Sequence, residues 1–171
     1  MKFFLILFAI GFSAFQSLAQ VDTEAFHQAL KLKKNLYYQD GTVTGGDRNS
    51  SDFRVSQIRI APNPAGYDRM VIDLAGNVSG DKSALARPPY YQVELDSVLK
   101  LVHVTLYGKP KLEFSTQATA KAVKKTHHLT SVELLPLVEQ DRWTFTLHTR
   151  PKVKIEVFEL TEPARIIVDF K

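Results

Sequence analysis

The chain of 171 residues has no cysteine. That excludes disulfide staples, thiolate metal sites and thiol nucleophiles, so stability must come from a hydrophobic core. It also lacks a phosphate loop, a Gly-Xaa-Ser-Xaa-Gly elbow and a His-Glu-Xaa-Xaa-His pattern, the short motifs of phosphate, hydrolase and zinc chemistry. The histidines are His27, His103, His127, His128 and His148. His127 and His128 are adjacent and would point to opposite faces of a strand, which suits a solvated pair better than one metal. His103 lies in an apolar strand and reads as a hydrogen-bonded core or edge residue. No catalytic residue, metal site or cofactor is expected. Charge of one sign is also scarce. Without Lys2, 21 basic residues face 18 acidic ones. Such a mild excess fits a weakly anionic partner, such as cell-wall polymer or a membrane surface, and not the basic stripe of a nucleic-acid binder.

Long apolar runs are confined to the first residues. Lys2 precedes Phe3 to Ile10 and Gly11 to Phe15, and Ser17-Leu18-Ala19 places small residues where a signal peptidase reads. This is the layout of a secretory signal peptide over residues 1–19, cleaved after Ala19. The run is shorter than the ~20 apolar residues of a spanning helix. No cysteine follows it to carry a lipid. The exported remainder, about 150 residues, suffices for one domain with a sizeable core and has no further segment fit to span a membrane.

Residues 20–40 form an N-terminal segment with one short helix, capped by Thr23 and carrying Phe26, Ala29, Leu30 and Tyr37 near helical spacing. Gly41 to Asp52, rich in glycine, serine and aspartate, reads as a flexible linker, so residues 20–52 precede a domain that begins near Phe53. From there the dominant period is two. Met70, Ile72 and Leu74 alternate with Val71 and Asp73, and Trp143, Phe145 and Leu147 with Thr144 and Thr146. Such runs are half-buried strands. Only Ser115 to Thr126 breaks the pattern, as a short helix or an extended connection. Short strands with Pro-, Gly- and Asp-rich turns predict an all-β sandwich over residues 53–171.

The strands repeat. Ile58 to Pro62, a loop and Asp68 to Leu74 correspond to Val132 to Pro136, a loop and Asp141 to Leu147. More weakly, Val93 to Asp96 and the strand from Lys100 correspond to Phe158 to Thr161 and the strand from Arg165. The domain thus reads as two pseudo-symmetric halves of about four strands each, near residues 53–107 and 127–171. One hexamer occurs twice, as Arg69 to Leu74 and Arg165 to Phe170. In each, Arg, the central residue and Asp face one way and three large apolar groups face the core. An Arg and an Asp four residues apart lie roughly 13 Å apart on one strand, so each needs a partner on a neighbouring strand.

The closing stretch Phe158 to Phe170, with Leu160, Pro163, Arg165 and Asp169, resembles the final signature of AMIN domains, although Glu162 stands where that family usually has asparagine. Val55 to Ile60 and Asp68 to Leu74 are similar to the family's first hairpin. The resemblance implies a Gram-negative periplasmic β-sandwich module that binds peptidoglycan and serves as a localisation or adaptor factor. A cell-wall amidase or a secretin-type envelope protein would be its partner. A zinc amidase domain would need chain beyond Lys171, so binding, not catalysis, is implied. Candidate ligand-binding residues are Arg69, Asp73, Arg142, Arg165 and Asp169, whose arginines suit stem-peptide carboxylates, together with Tyr90 and Tyr91 as surface aromatics for sugar faces. The competing role for the charged five is cross-strand ion pairing. The rival function is a protein-interaction subunit that docks on an envelope complex by edge-strand pairing.

Overall fold

A computed structural model describes residues 36–76 and 85–171. The expected signal peptide, and all but the end of the expected N-terminal helix, lie outside the described residues. Among those described, no helix is long and apolar enough to cross a membrane.

The protein is an all-β sandwich. Its strands are β1 (Gly41–Gly45), β2 (Phe53–Asn63), β3 (Tyr67–Gly76), β4 (Tyr91–Asp96), β5 (Leu101–Tyr107), β6 (Lys111–Leu112), β7 (Leu129–Glu133), β8 (Arg142–Thr149), β9 (Ile155–Leu160) and β10 (Arg165–Phe170), with helix α1 (Thr116–Val123) between β6 and β7. Sheet one runs β1-β4-β5-β8-β7 and sheet two β6-β2-β3-β10-β9. Each half gives one hairpin to each sheet: β2-β3 and β9-β10 lie in sheet two, β4-β5 and β7-β8 in sheet one. The halves therefore interlock.

The alternation decides which faces meet. Met70, Ile72 and Leu74 of β3, Val102, Val104 and Leu106 of β5, Trp143, Phe145 and Leu147 of β8, and Ile166, Val168 and Phe170 of β10 are all buried in one core. α1 closes one side. Ser115 caps it by accepting from the Ala118 N–H, while Thr119 and Val123 are buried. The region left open between helix and extended chain is thus helical.

The weaker half of the repeat is shifted. Phe158 and Leu160, expected to match Val93 and Leu95, turn away from the core into a second cluster with Ile167 and Val71. The spatial equivalents are Tyr91 with Ile155 and Val102 with Ile166, all four in the main core. A one-residue slip exchanges the two faces of a strand, and letter matching cannot see it.

The two hexamers are neighbours. β3 and β10 pair antiparallel with Arg69 opposite Asp169 and Arg165 opposite Asp73. A motif with arginine at its first position and aspartate at its fifth is complementary to its own antiparallel copy.

The expected linker is a correction. Gly41–Gly45 forms β1, paired with β4 from Gly41↔Leu95 to Gly45↔Tyr91. Gly45 and Gly46 answer to close approach, not to flexibility. A Cβ on Gly45 would lie 2.4 Å from the Tyr91 hydroxyl, and Gly46, at φ +82°, would meet the Pro89 carbonyl oxygen at 2.1 Å. The chain stays docked beyond them: Asp47 N–H donates to the Pro88 carbonyl and Tyr90 N–H to the Asp47 carbonyl. Gly46→Ala combines a left-handed φ with a backbone clash. We expect it to cost about 2 kcal/mol or more and to free residues 46–48 from residues 88–90, measured by chemical denaturation and by faster amide exchange at Asp47 and Tyr90.

Candidate functional site

The seven sequence-selected residues separate into a ladder of four, one buried tyrosine and a pair at the end of sheet one. Four of them form the ladder between β3 and β10. Arg69 grips Asp169 with two hydrogen bonds, from Nε at 2.7 Å and Nη2 at 2.9 Å. Asp169 is fully buried. Burial works against the Arg69 charge, but the Asp169 carboxylate more than offsets it, so the guanidinium pKa is raised. Asp73 accepts from Arg59 through Nε at 2.8 Å and Nη2 at 2.9 Å, and Arg165 Nε completes an ion pair with it at 2.9 Å. These charges neutralise one another across strands. Arg69 also lies over the rings of Tyr67 and Phe158.

Tyr91 is buried in the core, because the strict alternation of β4 turns it inward with Val93 and Leu95. Burial, reinforced by Glu159, pushes its phenol pKa far above the ordinary range. It is not the surface aromatic expected.

Tyr90 and Arg142 come together at one end of sheet one. Arg142 begins β8 directly opposite Tyr107 of β5, and opposite residues of an antiparallel pair share a face with Cβ atoms about 5 Å apart. Tyr107 packs on Tyr90 with ring centroids 5.1 Å apart. The Tyr107 hydroxyl donates to Gln92 Oε1 at 2.7 Å, and Gln92 Nε2 donates to the Tyr90 hydroxyl at 3.2 Å. Arg48 lies over the Tyr90 ring at 4.7 Å. Arg48, Ser50, Tyr90, Tyr107 and Gly108 line a shallow cavity of about 290 Å³. Arg48 and Arg142 are both exposed, and neither has a carboxylate partner among the described residues.

The repeat explains the second arginine. Arg142 corresponds to Arg69, but the β5–β8 register sets Tyr107 opposite it, where Arg69 meets Asp169. The first half neutralises its arginine; the second leaves it without a carboxylate partner among the described residues. The remainder of this outer face is polar and ordered. His103 Nδ1 lies 3.0 Å from Thr146 Oγ1, Thr105 Oγ1 2.9 Å from Thr144 Oγ1, and His148 Nε2 2.7 Å from Glu133 Oε1. His103 is hydrogen-bonded as expected, though on the outer face of a central strand.

The pair His127-His128 is also a correction. It lies in the loop between α1 and β7, not on a strand, and it gathers around a buried carboxylate. Asp68 accepts the His127 N–H at 2.9 Å, the His128 N–H at 2.6 Å and a contact from His128 Nδ1 at 3.0 Å. This knot ties the start of β3 in sheet two to the entry of β7 in sheet one. Among the described residues, no group of three or more His, Cys, Asp or Glu is arranged to hold a metal.

Sequence reasoning missed Arg48, Gln92 and Tyr107. Gln92 and Tyr107 were within reach, since their positions outside the core alternation were readable. Arg48 was hidden by the reading of its segment as linker. No protein-family model matches this chain, and neither curated proteins nor solved structures yield a match.

Proposed function

We propose that the protein is a non-catalytic binding module of the Gram-negative periplasm, AMIN-like in organisation, that holds peptidoglycan and acts as a localisation or adaptor factor. The observation that carries the reading is the cluster of Arg48, Tyr90, Tyr107 and Arg142. A pair of tyrosines offers apolar ring surface to a sugar, Gln92 fixes their hydroxyls, Arg48 lies over the Tyr90 ring and Arg142 stands opposite Tyr107, and neither guanidinium has a carboxylate partner among the described residues. Arginine binds carboxylates through two parallel hydrogen bonds, and glycan strands with stem peptides present carboxylates beside sugars. The export layout of residues 1–19 and the closing motif support the compartment and the family likeness.

The test is co-sedimentation of the exported chain with purified sacculi. We expect wild type in the pellet, released by soluble muropeptides and by moderate salt. Tyr90→Ala combined with Arg142→Ala should weaken retention roughly tenfold or more, the loss of about 1.5–3 kcal/mol when one charged contact goes. Circular dichroism should remain unchanged. Wild type in the supernatant, or a double variant retained like wild type, would overturn the proposal.

A further inference from the structure

The two ends of the sandwich differ in charge. One end gathers the turn between β4 and β5, the last residues of β8 and β10, the first residues of β7 and β9, and the end of α1. Backbone bonds join these pieces. The Thr149 N–H donates to the Lys100 carbonyl, the Arg150 N–H to the His128 carbonyl, and Lys154 and Lys171 exchange both bonds. Lys100, Arg150, Lys152, Lys154 and Lys171 are exposed here, and α1 adds Lys124 and Lys125. None of the seven forms an ion pair among the described residues. Lys171 lies over the Tyr37 ring at 5.5 Å.

Carboxylate side chains are few at this end. Asp68 is buried, and its oxygens accept the His127 and His128 N–H groups. Asp40 Oδ1 accepts the Ser97 N–H at 3.1 Å and Asp96 Oδ1 the Leu99 N–H at 2.7 Å. Glu94, Glu156 and Asp169 lie two residues further in along β4, β9 and β10, and the last two are buried. Seven cations against Asp40, Asp68 and Asp96 leave an excess at least as large as that of the whole exported chain, with its 21 basic and 18 acidic residues. A field of one sign over one end draws an anionic surface toward it.

Asp40 and Asp96 also shape the turn. They hold Ser97 and Leu99 by their N–H groups and leave Val98 and Leu99 at the tip, 84% and 63% exposed. A lone apolar residue on a surface is ordinary. Two together, on a turn fastened from both sides and next to Lys100, combine hydrocarbon with positive charge. A soluble polyanion would neutralise the cations and leave Val98 and Leu99 in water. An anionic bilayer offers phosphate and hydrocarbon at one boundary.

We propose that this end of the sandwich docks on an anionic phospholipid bilayer. Val98 and Leu99 enter the boundary between headgroups and acyl chains, and Lys100, Arg150, Lys152 and Lys154 contact lipid phosphates. The Tyr90–Arg142 cluster stands at the other end of sheet one, since β5 meets Arg142 at its last residue, Tyr107, and His148 at its first, Leu101. The docked chain therefore turns that cluster away from the bilayer. The two surfaces are separate, and the test of this one does not depend on wall binding.

The probe is a vesicle of phosphatidylcholine and phosphatidylglycerol in equal parts, compared with phosphatidylcholine alone, in co-sedimentation with the exported chain. We expect the mixed vesicle to be bound about tenfold more tightly or better, with the difference fading in high salt. Arg150→Gln combined with Lys152→Gln should weaken that binding roughly tenfold or more, because each cation at an anionic surface contributes roughly fivefold. Val98→Ser combined with Leu99→Ser changes two exposed side chains, should leave circular dichroism unchanged, and should weaken binding about tenfold or more. Lys109→Gln removes an exposed charge at the other end, where the Lys109 N–H donates to the Asp141 carbonyl, and should change binding by less than about twofold. Leu99→Trp should bind with emission that brominated acyl chains quench, while wild type, whose Trp143 is buried, should escape quenching. Equal binding to the neutral vesicle, or a Leu99→Trp chain that escapes quenching, would overturn the proposal. So would a serine pair that binds like wild type, since the cations alone would then suffice and a soluble polyanion would serve as well. Equal losses in Lys109→Gln and in the Arg150 and Lys152 pair would overturn it too, because net charge and not this end would then govern binding.

Discussion

Arg69→Ala should destabilise the protein by about 3–5 kcal/mol, the usual cost of leaving a buried charge without its partner. Asp169 has no exposed surface and takes both Arg69 hydrogen bonds at 2.7 and 2.9 Å. Arg69 also covers Tyr67 and Phe158, so truncation opens packing beside Ile167 and Phe158 as well as removing a charge. The control lies within the repeat. Arg142→Ala, at the equivalent position of the second half, removes an exposed side chain with no carboxylate partner among the described residues and should change stability by less than about 0.5 kcal/mol. Urea denaturation of both variants reads the difference. Equal losses would mean that the two arginines are equivalent and that the pairing asymmetry is not energetic.

Asp68→Ala should cost about 3 kcal/mol, since each donor left without an acceptor costs about 1–3 kcal/mol. The His127 and His128 N–H groups lose their only acceptor among the described residues. Because these bonds join the two sheets, the loss should spread. Amide exchange should quicken at Leu129 and along β7 in addition to β3. Asp68→Asn restores one oxygen but turns an amide NH2 toward the same donors, so it should recover less than half of the loss. If Asp68→Ala matches wild type in denaturation midpoint and in β7 exchange, the carboxylate is not a tie between sheets.

Period-two alternation was enough to read the sandwich, the core faces of β3, β5 and β8, and the first part of the repeat. It was enough because each of those strands buries one face and mostly polar residues mark the other. β9 and β10 bury residues on both sides, as Ile167 and Phe158 show, so the alternation blurs and the match slipped by one. β1 escaped because glycine was taken as a sign of freedom. Gly45 and Gly46 are glycine because Tyr91 and Pro89 leave no room for a Cβ, and that is set by residues more than forty positions away. The candidate site was half legible. Tyr90 and Arg142 could be chosen as outward polar and aromatic groups. Which of several similar arginines is neutralised depends on strand register, and no single strand carries that information.

The interlocked hairpins constrain how the chain acquires its structure. The central ladder of sheet two joins residues 100 positions apart, as in Arg69 and Asp169, and that of sheet one joins β5 to β8 across α1. Closing such loops costs entropy before any contact repays it, so folding should be slow for a chain of this size. Neither half can complete a sheet alone. A break in the connection between β6 and β7 would therefore yield complementary fragments, not two small domains, and refolding from them should depend on concentration.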